Sequence, residues 1–167
     1  MTTHPVDDLL RSFPDLDFAV LEHGFAPHGR DYTVIAQYGG VRDPGTYQLE
    51  FTHCVKAEIE TRVSGGAWPA SWRDEFTNYD RWLAAGSPDG YVWGTNWSLA
   101  YPGLVPVRDS PEATDWTQRL GQPMHELTLE TDRFRIRLIF HSIRSCRLND
   151  EHGTISQVII PLPPKHR

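Results

Sequence analysis

Tyr47, Leu49, Phe51, His53, Val55, Ala57, Ile59, Thr61 and Val63 occupy every second position, and Gln48, Glu50, Thr52, Lys56, Glu58, Glu60 and Arg62 fill most of the others. A period of two belongs to a β-strand with one buried face. Seventeen such residues at about 3.3 Å each would run about 55 Å. A chain of 167 residues packs to a radius of gyration of about 15 Å, so a single straight strand of that length does not fit. A break, bulge or sharp bend near His53 and Cys54 is expected, giving two strands. A second segment echoes the first: Leu49, Phe51, Val55, Lys56 and Ile59 can be laid on Leu138, Phe140, Ile143, Arg144 and Leu148 with a one-residue shift. Two bent strand pairs built to one plan would produce that echo, and so would chance between strand-like segments.

The remaining elements follow from punctuation and period. Pro5, Asp7 and Asp8 suit a helix start, and Val6, Leu9, Leu10 and Phe13 recur at helical spacing before Pro14 stops them. Phe18–Phe25 and Tyr32–Tyr38 read as a hairpin linked through His28, Gly29 and Arg30. After Gly65, Gly66 and Pro69, the residues Trp72, Phe76, Tyr79, Trp82 and Leu83 predict a helix interrupted near Asn78, with Ser71 and Asp74 as its capping signal. Ser110, Pro111 and Glu112 open, and Gly121 closes, a short helix carrying Ala113, Trp116 and Leu120. Leu127 to Phe140 forms a hairpin turning at Thr131 and Asp132, Ile143 to Leu148 is a further strand, and Ile155 to Ile160 is an edge strand before the loose tail PLPPKHR. The expected class is α+β, mainly an antiparallel β sheet or sandwich with about three short helices. Residues 1–150 make one globular domain, and 151–167 the edge strand and Pro-rich tail.

The stretch YVWGTNWSLAY, residues 91–101, alternates large and small. Tyr91, Trp93, Thr95, Trp97, Leu99 and Tyr101 point one way, while Val92, Gly94, Asn96, Ser98 and Ala100 point the other. Pro102 and Gly103 are expected to end this strand. Its aromatic face either fills a core or paves a groove, and core filling is the plainer reading for the tryptophans generally. Exposure of the segment separates the two.

A formal net charge of −6 and a pI near 5.7 argue against nucleic-acid or anionic-membrane partners. The apolar runs fall short of the roughly 20 residues that span a bilayer, and the opening residues show no secretory pattern, so a cytoplasmic location is expected. Cys54 and Cys146 then read as buried free thiols. The eight histidines show no metal-ligand spacing, no nucleophile motif is present, and no cofactor is expected. Arg133, Arg135 and Arg137 share one parity and form a basic ridge that receives an acidic partner or a phosphate, or else pairs across strands with Glu126, Glu130, Glu58 and Glu60, the plainer reading. The candidate binding residues are Trp93, Trp97, Arg133, Arg135 and Arg137. No catalytic or metal-binding residue stands out.

The runs RDYTVIAQ, YQLEFTHCVKAEIET, NYDRWLAAGSPDGYVWGTNWSLAYPG and DSPEATDWTQRLGQPMHELTLET resemble the YxiG-like family of small bacterial proteins common in actinobacteria. The resemblance covers roughly residues 16–148, with DGYVWG…W…YPG its most specific part. It implies a single domain and no named reaction, cofactor or catalytic residue. Some relatives lie among toxin and immunity genes, which implies an immunity-like binding role. The expected function is therefore a non-enzymatic, cytoplasmic protein-binding domain with a partner such as a toxin. The alternative is a small-molecule or carbohydrate binder, or a hydrolase, with Trp93, Trp97, Asp80, His23 and His53 converging on a cleft.

Overall fold

The computed structural model describes residues 4–12, 18–39, 44–73, 78–87 and 95–148. In chain order the elements are α1 (Pro5–Ser12), β1 (Phe18–Phe25), β2 (Tyr32–Tyr38), β3 (Gly45–Thr52), β4 (Lys56–Thr61), α2 (Trp68–Trp72), α3 (Tyr79–Ala84), β5 (Ser98–Val107), α4 (Pro111–Leu120), β6 (His125–Thr131), β7 (Phe134–Phe140) and β8 (Ser142–Arg147). All strand pairs are antiparallel, in the order β4-β7-β6-β5-β1-β2-β3-β8. The class is α+β with the sheet dominant, as the periodicities predict.

The long alternation breaks where length requires it. β3 stops at Thr52, His53 takes a left-handed φ of 48°, and β4 begins at Lys56. β7 and β8 break beside it at His141, and the two segments that echo each other pair antiparallel, so the echoed residues are not ladder partners. Phe51 lies opposite Ile143 and Thr52 opposite Ser142, while beyond the bend Lys56 lies opposite Ile139. Two hydrogen bonds carry the pairing across the corner, His141 N–H to Thr52 O and Val55 N–H to Ile139 O, both 2.9 Å. One bent two-stranded ribbon therefore serves two ladders, β5-β1-β2-β3-β8 and β4-β7-β6-β5, which also share β5.

Both ladders turn their apolar parity to one core. Phe18, Val34, Leu49 and Phe51 come from the first ladder, Leu127, Leu129, Ile136 and Leu138 from the second, and all are buried. Val6 and Leu9 of α1 join the same core. A smaller cluster lies outside, where Ala113 and Trp116 of α4 cover Ile139 and Met124. That helix has the predicted ends: the Ser110 hydroxyl accepts from Ala113 N–H at 3.1 Å, and Gly121 closes it at φ 65°.

Several expectations are corrected. The strand through Ser98 does not end at Pro102 and Gly103: its pairing shifts between Ala100 and Gly103, and it runs on to Val107. Pro102 is tolerated because a bulge needs no ladder N–H there. The faces of this strand are also reversed. Ser98 lies opposite the core residue Val20, so Ser98 (5% exposed) and Ala100 (1%) face inward while Tyr101 is 75% exposed. The described tryptophans are not core residues, and the buried rings are Phe18, Tyr32, Tyr38, Tyr47, Phe51 and Phe140. The interruption expected near Asn78 is seen, since α2 ends at Trp72 and α3 begins at Tyr79, with residues 74–77, including Asp74 and Phe76, outside the described residues. Ser71 lies inside α2, and Asn78 caps α3 by accepting from Asp80 N–H at 2.8 Å. Finally, Cys54 is a buried free thiol, but Cys146 is exposed at the β8 edge. Residues 91–94, including Trp93, and the proposed edge strand and tail of 151–167 lie outside the described residues.

Candidate functional site

A cleft of about 440 Å³ opens beside the first turn of β5. β1 positions one wall of it through a bulge. Val20 lies opposite Ala36, but Glu22 lies opposite Ile35 and His23 opposite Val34. The extra residue swaps the faces, so His23 shares the inward face with buried Val34 and Glu22 turns to the rim. The His23 ring packs 4.5 Å from Phe134, and its Nδ1 lies 2.7 Å from the Tyr32 hydroxyl. Burial lowers the imidazole's pKa, partly opposed by Glu22, and raises the Tyr32 phenol to about 12. Both groups are therefore neutral near pH 7. With the phenol as donor to Nδ1, the other ring nitrogen carries its hydrogen.

The opposite wall is Asn96 and half-buried Trp97. The β6–β7 turn holds this segment. Arg133 donates to Thr95 O at 2.9 Å and to the Thr95 hydroxyl, while Asp132 accepts from Leu99 N–H at 2.9 Å and donates its own N–H to Leu99 O.

A second cleft, about 360 Å³, is lined by His4, Arg108, Ser110, Met124, His125 and Glu126 among others. The rings of His4 and His125 meet edge to face, centroids 5.0 Å apart. Burial lowers both pKa values; Asp7 opposes this at His4, while each neighbouring imidazole adds to it at His125. The Ser110 hydroxyl donates to the buried carboxylate of Glu126, which also accepts from Arg137.

Of the sequence-predicted binding residues, the structure brings Trp97 and Arg133 together at the first cleft. Arg135 and Arg137 lie on the outer face of β7. Arg135 Nε donates to Glu130 at 3.0 Å. Arg137 binds Glu126, Glu112 at 2.8 Å and Glu58 at 3.1 Å, and Lys56 joins Glu58 and Glu112 at 2.9 and 2.8 Å. These contacts raise the Arg137 pKa, Glu126 most of all. Arg135 and Arg137 are thus paired with carboxylates, while Arg133 is bonded to Thr95. Glu112 escaped the sequence reading because it reaches this face only through the docking of α4. Neither His53, at the bend, nor Asp80, in α3, lines the cleft. Among the described residues no three His, Cys, Asp or Glu side chains are grouped to hold a metal ion, and no helix is long and apolar enough to cross a membrane.

An antiparallel α+β domain with an aromatic cleft beside a strand bulge is the class these features define. The chain belongs to the YxiG-like protein family, whose model matches residues 3–157. No curated protein matches it. Among solved structures it is similar to the crystal structure of an uncharacterized protein from Neisseria gonorrhoeae, at 7% identity over 79% of this chain and 92% of that one, with a TM-score of 0.35. A likeness at that level carries no argument about function.

Proposed function

We propose that the chain is a non-enzymatic domain that binds another protein, in the manner of an immunity protein and its toxin. The observation that carries this reading is the outward turn of large aromatics: Trp72 is 88% exposed and Tyr101 75% exposed. Interfaces draw their anchoring side chains from such residues. The net charge of −6 favours a basic partner, which it would steer into contact. The reading takes the domain to act in the cytoplasm. Purification of the tagged chain from its native host, with mass spectrometry and inspection of neighbouring genes, tests it. A stoichiometric protein lost from the Trp72→Ala, Tyr101→Ala double variant is the expected result. A clean monomer with no adjacent toxin gene counts against it.

A second reading, a small-molecule or carbohydrate binder, is favoured by one observation. Trp97 is not enclosed but lines an open cleft beside His23 and Arg133.

A further inference from the structure

We infer that the cleft at the β1 bulge is a saccharide site, holding a neutral polyhydroxylated ring against Trp97. The inference rests on the second reading above, that this cleft takes a ligand.

Size sets the first limit. About 440 Å³ lies near the low end of the roughly 300–1,000 Å³ of small-ligand pockets, which suits one or two rings rather than an extended chain. Charge sets the second. Glu22 and Arg133 border the same cleft, so an anion meets the carboxylate and a cation meets the guanidinium. A neutral ligand meets neither penalty.

Ring geometry separates a sugar from a flat heteroaromatic. The rings of His23 and Phe134 are already in contact at 4.5 Å, leaving no slot between them for a base to slide into. Among the described residues, half-buried Trp97 is the remaining aromatic wall. A single indole matches a pyranose, which has an apolar C–H face and a polar edge. That edge needs donors and acceptors together. With the Tyr32 phenol donating to Nδ1, the second ring nitrogen of His23 donates, Glu22 accepts, and the exposed Asn96 amide does both. Arg133 is occupied with Thr95 and keeps the Trp97 segment in place.

The test is a titration of the full-length, isotope-labelled chain, following the Trp97 indole N–H (assigned with Trp97→Phe) and the His23 ring by NMR. The probes are glucose, galactose, mannose, N-acetylglucosamine and their disaccharides, run beside glucuronate, inorganic phosphate and adenosine. A neutral sugar should move both signals saturably, and Trp97→Ala should weaken it about tenfold. Should Trp97→Ala fail to fold, Asn96→Ala, at an exposed position, is expected to weaken the same sugar. If adenosine or an anion moves the Trp97 and His23 signals and no neutral sugar does, the saccharide inference is overturned while the ligand cleft stands. If no probe moves either signal, both fall.

Discussion

The rings of His53 and His141 stand 5.9 Å apart at an interplanar angle of 82°, one at the bend of each strand in the ribbon that both ladders share. His53 is exposed and has a φ of 48°, so its backbone rather than its side chain is what the corner uses. Its N–H donates to the buried Asp31 carboxylate at 2.9 Å, which fixes the corner from below.

A residue without a Cβ fits that corner, and a β-branched one does not. His53→Gly is expected to stay within about 0.5 kcal/mol of the native stability, and His53→Val to lose about 1–2 kcal/mol. Urea denaturation of the two variants measures the difference. Equal midpoints would show that the corner is not strained.

Glu126 is 3% exposed, and its carboxylate accepts from both Arg137 and Ser110. Arg137→Met removes its main counter-charge and is expected to cost about 3 kcal/mol, near the bottom of the range for breaking a buried pair because the guanidinium is partly in solvent. Adding Glu126→Gln should recover about half, since a neutral amide leaves no stranded charge. A double variant no more stable than Arg137→Met would contradict this.

Stability should fall with acid in two windows. Burial holds the His4 and His125 pKa values below the ordinary 6.5. The folded state therefore binds fewer protons than the unfolded one, and their contribution is present above about pH 6.5 and lost below it. Asp31, held at about 2 chiefly by Arg30, with the His53 N–H adding to it, contributes above its unfolded value of 3.8 and loses this as pH falls toward 2. The second contribution is about 1–2 kcal/mol, limited because Arg30 is 60% exposed and solvent screens the pair. Chemical denaturation across pH 2–8 checks both windows. His125→Gln should make the upper one shallower, since His4 and His23 still contribute to it, and leave the lower unchanged.

The ends of α4 are separable. Ser110→Ala removes the cap and a partner of Glu126, at a cost of about 1–2 kcal/mol. Gly121→Ala imposes a Cβ on a φ of 65° and costs about 1 kcal/mol. Thermal melts of the two single variants and the double should show nearly additive losses, because the sites lie at opposite ends of the helix.

Local signals were legible and long-range ones were not. The α4 caps and the β6–β7 hairpin follow from neighbouring residues alone, and the break at His53 from the length of the alternation. The faces of β5 do not, because they are set by Ser98 lying opposite Val20, far away in sequence. The bulge that turns His23 inward left no turn residue to announce it: Leu21 looks like any strand position. Trp97 and Arg133 were named in advance for separate reasons, an aromatic stripe and a basic ridge. The turn that clamps Thr95 unites them, and it is visible only once β5 and β6 are side by side.

The bent ribbon also sets an order of events during synthesis. Thr52 bonds to Ser142 across 90 positions, so β3 emerges long before the strand that completes it and presents a bare edge in the meantime. Contacts of such sequence separation form slowly. β8, the last strand among the described residues, is thus the closing clasp of the first-made ladder, and the nascent protein depends on reaching it before another chain pairs there instead.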